Sequence, residues 1–286
     1  QARDSKSRAD TLSRVAWPAF STNQVIKKTV SVARDGDVKR VCIQALNYPT
    51  VIEDVLELTK AIHSRSNLPV SVSCQPLNKT DLEEMKNAGV DRISIALDAA
   101  TEELFDKIKG GSTLSPYTWT RQREALKEAV EVFGRSNVST HLIAGLGETE
   151  KEMTSTIQWC TDSGVFPSLF AFTPILGTAL EKKTQPDIGS YRRIQLARHL
   201  IVNSKTSVEN VRFDKKGRIV DFGVAETQLK DIVLAGNPFR TSGCPDCNRP
   251  YYNEKPSGPL FNYPRQPTAS ELAEIIEQLE LYTSCA

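Results

Sequence analysis

This sequence lacks an excess of either charge: its 286 residues include 36 Lys and Arg against 35 Asp and Glu, a formal net charge of +1. With no net field to attract nucleic acid or an anionic membrane, we expect partners to be recognised by local contacts. No apolar run approaches the ~20 residues that span a bilayer, and the opening segment QARDSKSRAD has no signal-peptide core. These absences predict a cytoplasmic protein that binds neither nucleic acid nor membrane.

Cysteine is also scarce, with residues only at positions 42, 74, 160, 244, 247 and 285. Six scattered cysteines do not suffice for the disulfide scaffold of a secreted protein of this length, which favours reduced thiols or metal ligands. Cys160 lies on an apolar helix face, and Cys42 and Cys74 lie in apolar strands, so core positions are favoured for all three. Cys244 and Cys247 differ, because their C-x-x-C spacing lets two thiolates reach one metal centre.

Short segments rich in β-branched residues alternate with amphipathic helical segments along most of the chain. The predicted strands are 38–46, 69–75, 92–98, 138–145 and 168–174. Apolar strands between one-sided helices predict a parallel sheet covered by helices, which is either an open doubly wound sheet or a barrel. No G-x-G-x-x-G follows an early strand, so a barrel is favoured over a dinucleotide-binding fold.

Four helix starts carry the spacing of a capping box, in which a Thr hydroxyl and a Glu carboxylate satisfy unpaired backbone N–H groups. The pairs are Thr50 with Glu53, Thr80 with Glu83, Thr149 with Glu152 and Thr268 with Glu271. Each pair predicts that a helix begins directly after its Thr.

The last third of the chain is predicted to complete the barrel. Segments 210–214 and 218–223 form a seventh strand region, and 238–243 is a candidate last strand. Cys244 would then follow the carboxyl end of a strand, which is the end where barrel active sites are built. We therefore predict a barrel domain over 1–243 and a C-terminal extension over 244–286.

Several segments resemble the radical S-adenosylmethionine (SAM) superfamily, in the branch that contains biotin synthase and lipoyl synthase. The segment NAGVDRISIALDAATEELFDKI, 87–108, resembles the strand whose terminal Asp bonds the SAM ribose, which implies this role for Asp98. HLIAGLGET, 141–149, resembles the G-x-I-x-G-x-x-E motif that supports the adenine. Ile143, Gly145 and Glu148 match this motif, whereas His141 stands where its first Gly is usual.

The resemblance extends from Gln1 to about Gly243 and includes three further segments. FTPILGTAL, with Pro174, resembles the segment whose backbone also meets the adenine. TWTRQREAL resembles the helix that sends an Arg to the SAM carboxylate, which implies Arg121 first and Arg123 second. CIQAL, with Gln44 and Ala45, stands where the family's backbone receives the methionine amino group. The implied fold is an α/β, partial-to-full TIM (β/α) barrel with a C-terminal cluster-binding extension.

One departure from the family concerns the cluster that cleaves SAM. The signature C-x-x-x-C-x-x-C, which holds this [4Fe-4S] cluster, is missing from the 286 residues. A Gln commonly follows the third cysteine of that signature in the biotin synthase branch, and Gln1 resembles this residue. The resemblance thus implies that the cluster ligands and the first strand lie upstream of Gln1.

The cysteine positions match the cluster ligands of two members of the branch to different degrees. Of the three strand positions that hold the sulfur-donating cluster of biotin synthase, Cys42 matches, but Ser71 and Ser139 occupy the others. The stretch GCPDCNRPYYNEKPSGPLFNYPR, which contains Cys244 and Cys247, instead resembles two-component lipoyl synthases. That resemblance implies an auxiliary [4Fe-4S] cluster as sulfur source. Cys285 is the candidate third ligand, and a small ligand or a hydroxyl such as Ser284 would complete the set.

The implied activity is sulfur insertion into an octanoyl chain carried on a lysine of a lipoyl carrier protein or domain, at C6 or C8. A second lipoyl synthase subunit is a further implied partner. Two alternatives remain open: a biotin-synthase-like radical SAM enzyme that acts on a free small molecule, and a non-catalytic barrel that binds zinc.

Plainer roles also remain open for single residues of the candidate sites. Asp98 would cap the following helix, Glu148 would serve only a turn, and Cys285 would be simply exposed. Arg121 and Arg123 would be solvated helix charges.

Overall fold

Five parallel strands lie side by side in chain order in the computed structural model, which describes residues 18–245, 247 and 258–279. These strands are β1 Val41–Gln44, β2 Val70–Cys74, β3 Val90–Ile95, β4 Val138–Ala144 and β5 Val165–Ala171. A crossover containing at least one helix joins each consecutive pair, as parallel pairing requires. The α/β prediction is confirmed, and the curved βα repeat is that of a partial TIM barrel.

Nine α-helices are found within the described ranges. They are α1 Thr22–Asp35, α2 Val51–His63, α3 Lys79–Asn87, α4 Glu102–Ile108, α5 Trp119–Phe133, α6 Glu150–Asp162, α7 Ile188–Val202, α8 Glu226–Leu234 and α9 Ala269–Leu279. Short 3-10 turns lie at Gly111–Thr113 and Asn237–Phe239. No helix of the described part of the chain is both long and apolar enough to cross a bilayer.

The two faces of the sheet differ in chemistry because successive strand side chains point to opposite faces. In β1, Val41 and Ile43 pack against the main hydrophobic core, whereas Cys42 and Gln44 alternate with them. The β2 sequence VSVSC alternates in the same way, and burial alternates along β4, so one face carries the apolar core beneath the helices. The opposite face forms the inner wall of the barrel.

The predicted helix caps have mixed outcomes. Thr149 and Glu152 form the predicted capping box of α6, and Thr268 with Glu271 makes the same reciprocal bonds ahead of α9. The predicted helix start after Thr50 is confirmed, since Thr50 is the N-cap of α2, but the predicted capping bond is wrong, because the Thr50 hydroxyl bonds Asp54 Oδ2 rather than a backbone N–H.

At α3 the helix begins earlier than predicted. Asn78 accepts from Asp81 N at 2.9 Å and is the N-cap, so Thr80 lies inside the helix. An Asn in the extended backbone conformation is at least as good a cap as Thr.

The predicted seventh and last strands of the barrel are wrong. Segments 210–214 and 218–223 form an antiparallel hairpin, β6 Arg212–Phe213 with β7 Ile219–Asp221, in a sheet of its own. The connection is only a tight turn, and a tight turn allows antiparallel but not parallel pairing. Residues 238–243 contain the end of a 3-10 turn and a single bridge from Arg240 to Tyr263.

A second hydrophobic cluster joins α7 to the chain on both sides of the predicted boundary at 243. It contains Leu196 and Leu200 of α7, Val233 of α8 and Ile275 of α9. The division into 1–243 and 244–286 stays a prediction, and the packing crosses it.

At the centre of this region lies the fully buried Arg192. Its guanidinium donates to Phe261 O at 2.6 Å and Gln278 Oε1 at 2.9 Å, and it also bonds Leu260 O. These bonds hold the segment that returns from the C-x-x-C motif against the barrel.

A buried ion pair fixes α7 to α6. Arg193 Nη2 lies 2.7 Å from Glu150 Oε1, and both side chains are 6% exposed. Glu150 Oε2 also accepts from Ile219 N at 2.8 Å, which ties the β6–β7 hairpin to the same carboxylate. The attraction within the pair offsets the cost of removing both charges from water.

We predict that Glu150→Gln lowers the free energy of unfolding by about 3–5 kcal/mol, because it leaves the Arg193 charge buried without compensation. Urea unfolding followed by circular dichroism measures this change. The double variant Glu150→Gln/Arg193→Gln, which removes both charges, should lose less. A loss below about 1 kcal/mol in the single variant, the range of exposed pairs, would contradict the assignment.

Candidate cofactor and metal site

The structure brings most of the predicted SAM-binding residues to one edge of the sheet. Gln44 and Ala45 end β1, Asp98 follows β3, Ile143 lies near the end of β4, and Pro174 follows β5. The carboxyl ends of parallel strands meet at the same edge, which is where ligands of βα barrels bind. Their individual roles in binding stay predictions.

Asp98 stands at this edge in an unusual backbone conformation. Its φ of 67° lies in the left-handed region, which non-glycine residues seldom adopt outside special sites. Its N–H donates to His141 O and its carbonyl accepts from Ile143 N, both at 2.8 Å, so the residue bridges to β4. Lys109 Nζ lies 2.9 Å from its carboxylate, which is 23% exposed.

The helix-cap alternative for Asp98 is wrong. Thr101 is the N-cap of α4 and accepts from Leu104 N at 3.2 Å. The Asp98 carboxylate therefore keeps a partly exposed position at the rim, where an acceptor for a ligand hydroxyl is available.

Glu148 closes the loop that leaves β4. Its carboxylate accepts from the backbone N–H groups of Gly145, Leu146 and Gly147 at 2.6–3.0 Å. Burial raises the pKa of Glu148, while the three N–H donors act in the opposite direction. The predicted turn-stabilising role is what the contacts provide directly, and support of the adenine would follow from the loop shape it fixes.

Gly145 allows a close approach beside this loop. Its φ is +101°, and an added Cβ would lie 2.8 Å from the Pro186 ring. A cavity of about 250 Å³ opens next to it, lined also by Glu148, Asp187 and Ser190. A side chain at position 145 would therefore be strained and would push the segment before α7 away from the rim.

Arg121 and Arg123 occupy different environments. Arg121 donates to both carboxylate oxygens of Glu128 and to Leu77 O, which belongs to the loop after β2 at the rim. The Arg123 guanidinium instead stacks 4.0 Å from the centre of the Trp159 ring on α6. Of the two arginines, only Arg121 contacts the rim. To bind a ligand carboxylate, Arg121 would have to give up its ion pair with Glu128.

We predict that Asp98→Ala weakens SAM binding about 10-fold to 100-fold, since a hydrogen bond to a charged group contributes roughly 1.5–3 kcal/mol. Isothermal titration of the anaerobically purified full-length protein measures the dissociation constant. Glu102→Gln, an exposed carboxylate in the first turn of α4, serves as control and should bind SAM unchanged. An unchanged dissociation constant in Asp98→Ala would remove this residue from the site.

A second cavity, of about 60 Å³, lies on the inner face of the sheet. Its walls are rich in hydroxyl groups: Ser71, Ser73, Ser94, Ser139, Ser168 and Ser242 all line it. Cys42, Cys244, Cys247, Gln44, His141 and Arg92 contribute to the same lining. We refer to this cavity as the serine-lined hollow.

The C-x-x-C motif turns into the serine-lined hollow. Cys244 Sγ lies 3.3 Å from Ser71 Oγ, and Cys247 N donates to Cys244 O at 3.0 Å. An added Cβ at Gly243 would lie 2.8 Å from Cys247 Sγ, so the absence of a side chain there gives this thiol its room. Both thiols are partly buried, and they point inward rather than toward the outside of the barrel.

The predicted position of Cys244 beyond the carboxyl end of a strand is wrong. The motif follows an irregular segment in which Ser242 Oγ accepts from Leu169 N at 2.7 Å, along the outer edge of β5. Ser71 is the second residue of β2, so the Cys244 thiol contacts the amino-terminal half of the sheet. It therefore lies deeper in the hollow than a loop at the rim would place it.

The other cysteines divide into two groups. Cys74 and Cys160 are buried in the apolar core, as predicted, and burial raises the pKa of Cys74 to about 12. The predicted core position of Cys42 is wrong, because its side chain is exposed on the inner face of β1. Cys285, the predicted third ligand, lies outside the described residues.

No three His, Cys, Asp or Glu side chains of the described ranges surround a point as the ligands of a single metal ion do. A tetrahedral zinc site needs four such ligands around one ion. An iron–sulfur cluster differs, because each iron takes its own thiolate and the ligands stand farther apart. Two inward thiols among hydroxyl donors fit part of a cluster ligand set.

A family model for the radical SAM superfamily matches residues 12–160. The chain belongs to the radical SAM superfamily. Family membership implies SAM and a [4Fe-4S] cluster, yet no cysteines of these 286 residues have the C-x-x-x-C-x-x-C spacing. The residues present therefore do not supply a ligand set for the SAM-cleaving cluster.

Two curated relatives match part of the chain. An uncharacterized protein of Methanocaldococcus jannaschii is 27% identical over 174 residues, 57% of this chain and 42% of that protein. Biotin synthase of Sulfurihydrogenibium sp. (strain YO3AOP1) is 31% identical over 160 residues, 52% of this chain and 45% of that enzyme. The chain thus spans less than half the length of these relatives.

Solved structures show the same fold at low identity. The [FeFe]-hydrogenase maturase HydG aligns with a TM-score of 0.54 and 14% identity, covering 66% of this chain and 44% of that chain. Methylornithine synthase aligns with a TM-score of 0.53 and 15% identity, covering 70% of this chain and 58% of that chain. These likenesses establish the barrel fold, and they leave the substrate open.

Sequence reasoning missed the inner face of the sheet as a site. Cys42 and Gln44 alternate with apolar neighbours in β1, and Ser71 and Ser73 do so in β2. Such alternation of polar and apolar residues in parallel strands signals a second, polar face. His141 belongs to this face too, and its ring lies tilted against the Phe170 ring, with 4.8 Å between the ring centroids.

We predict that Gly243→Ala lowers the iron and sulfide bound at the C-x-x-C motif while the fold is retained, because the new methyl group displaces the Cys247 thiol. Iron and acid-labile sulfide analysis after anaerobic purification measures the loss, and circular dichroism checks the fold. Gly111→Ala in the 3-10 turn, remote from the hollow, is the matched control. Full iron content in Gly243→Ala would refute the proposed crowding.

Proposed function

We propose that the chain forms the SAM-binding and sulfur-donating part of a radical SAM sulfurtransferase. The observation that carries this proposal is that Cys244 and Cys247 face the inside of the barrel, below the rim where the predicted SAM-binding residues meet. Two thiols on an outer surface would give no reason to connect them with chemistry inside the barrel.

The rim residues would bind and orient SAM. In the proposal the Asp98 carboxylate accepts hydrogen bonds from the ribose hydroxyls, and Arg121 donates to the SAM carboxylate. Backbone groups of Gln44, Ala45, Ile143 and Pro174 would meet the amino group and the adenine. A SAM-cleaving [4Fe-4S] cluster, when bound, would supply the electron for radical chemistry on SAM, but no cysteines of these 286 residues have the spacing that holds it.

The serine-lined hollow would hold the sulfur source. Cys244 and Cys247 would provide two thiolate ligands of an auxiliary [4Fe-4S] cluster, and the neighbouring hydroxyl groups would donate to its sulfur atoms. Ser94 supports this, because its buried Oγ has no hydrogen-bond partner in the described part of the chain. The apolar core behind the sheet excludes water from this side, so that a substrate radical is not quenched.

The proposed substrate is an octanoyl chain on a lipoyl carrier protein or domain, with a second lipoyl synthase subunit as partner. The support is the resemblance of the stretch 243–265, which contains the C-x-x-C motif. Sulfur would be inserted at C6 or C8. In this proposal the octanoyl chain enters the barrel from the rim, and its reacting carbon must come within ~3–3.5 Å of the donated sulfur.

A second candidate is a biotin-synthase-like enzyme that acts on a free small molecule. Two observations favour it: the 31% identity to biotin synthase, and the polar lining of the hollow. Hydroxyl, amide and imidazole groups suit a substrate with hydrogen-bonding groups better than a hydrocarbon chain. In the first candidate the same groups would serve the cluster instead.

The decisive experiment incubates the anaerobically purified full-length protein with SAM, a reductant and an octanoylated carrier. We expect 5′-deoxyadenosine together with a thiolated carrier, detected by mass spectrometry. Cys247→Ala should keep deoxyadenosine formation but lose thiolation, because it removes only the sulfur source. Deoxyadenosine without any thiolated carrier would reject the carrier as substrate, and stoichiometric zinc without iron would reject both radical candidates.

A further inference from the structure

Cys42 lies on the same inner surface as the C-x-x-C motif. The chain alternates in β1, where Val41 and Ile43 pack into the core, so the Cys42 side chain faces the serine-lined hollow. A cysteine is seldom exposed without a function, since its side chain behaves as a small hydrophobic group. Cys42 therefore lines the same hollow as Cys244 and Cys247.

The register of the sheet sets how far Cys42 is from the motif. Cys42 is the partner of Ser71 in the parallel pairing of β1 with β2. Neighbouring strands are about 4.7–4.9 Å apart, and Ser71 Oγ lies 3.3 Å from Cys244 Sγ. Cys42 is thus one strand beyond the residue that contacts Cys244.

This spacing suits a cluster rather than a single ion. The three thiols do not converge on one point, in agreement with the lack of a three-ligand ion site in the described ranges. In an iron–sulfur cluster the thiolates bind different irons, and the inorganic sulfur fills the space between them. The hollow lies between Cys42, Cys244 and Cys247, and all three line it.

The surroundings of the three thiols also suit a cluster. Arg92 lines the hollow, and Arg40, whose charge is paired with Asp91, donates to Ser71 Oγ at 3.0 Å, so hydrogen-bond donors lie close to where thiolates would gather. The Ser94 side chain, whose hydroxyl has no partner among the described residues, is 8% exposed and can donate to a sulfur acceptor. Cys74 and Cys160, by contrast, face the apolar core.

We propose that Cys42 is the third thiolate ligand of the auxiliary cluster held by Cys244 and Cys247. The proposal rests on the proposed function, because that function supplies the cluster. One cysteine of β1 and the two cysteines of the C-x-x-C motif then share one site, and Cys285 is not needed as a ligand. The cluster would then tie the C-terminal segment to β1 across the hollow.

The test compares single variants of the full-length protein after anaerobic purification and reconstitution with iron and sulfide. Cys42→Ala, Cys244→Ala and Cys247→Ala should each lose about four iron atoms per chain, the content of one [4Fe-4S] cluster. Cys74→Ala, which removes a core thiol from the neighbouring strand, and Cys285→Ala should keep the wild-type iron content. Circular dichroism verifies that each variant is folded.

Alkylation of the unmutated protein gives a second readout that needs no variant. With the cluster bound, Cys42, Cys244 and Cys247 should resist iodoacetamide together, and all three should be labelled after the iron is removed with a chelator. Peptide mass spectrometry identifies the labelled residues.

The outcomes separate this inference from the proposed function. If the wild-type protein holds about eight iron atoms per chain and Cys42→Ala keeps all of them, the role of Cys42 is overturned. It is also overturned if Cys42 is labelled while Cys244 is protected. In both cases the auxiliary cluster stands. Loss of iron in Cys285→Ala but not in Cys42→Ala restores Cys285 as the third ligand. Wild-type iron of no more than about four atoms overturns both proposals.

Discussion

The two-faced parallel sheet is the constraint on which the rest of this structure depends. Successive side chains of each strand face opposite sides of the sheet, and the apolar side chains of one face pack against the helices. Polar members of the remaining set, from Cys42 on β1 to Ser168 on β5, line a hollow. A sheet that was apolar on both faces would have filled this space with core and left no room for chemistry.

The C-terminal segment depends on a different interaction, the burial of Arg192. The buried guanidinium is tolerated there because the backbone carbonyls of Leu260 and Phe261 accept its hydrogen bonds. These are the residues through which the chain returns after the C-x-x-C motif. The anchor keeps that segment on the barrel, while the bond from Leu169 N to Ser242 fixes its other end on β5. The cysteines are held between two fixed points.

Much of the fold could be predicted, because its signals are local. The strands β1 to β4 and the caps at Thr149 and Thr268 follow from β-branched segments and from side-chain reach over three residues. The error at 210–223 has a physical origin as well: a strand-like composition does not say which strand will be the partner. The hairpin pairs with itself because its turn is tight, whereas a barrel strand needs a long crossover.

The sequence by itself determined the family, the parallel sheet and the identity of the rim residues, because the motifs and strand patterns that indicate them lie within short contiguous segments. Only the tertiary structure decided that Cys42 and Cys244 line one hollow, as 202 positions separate them in the chain and nothing local couples their places. Their proximity comes from the register between β1 and β2 and from the course of the segment along β5. Both are set by long-range packing, which no spacing of residues in one segment encodes.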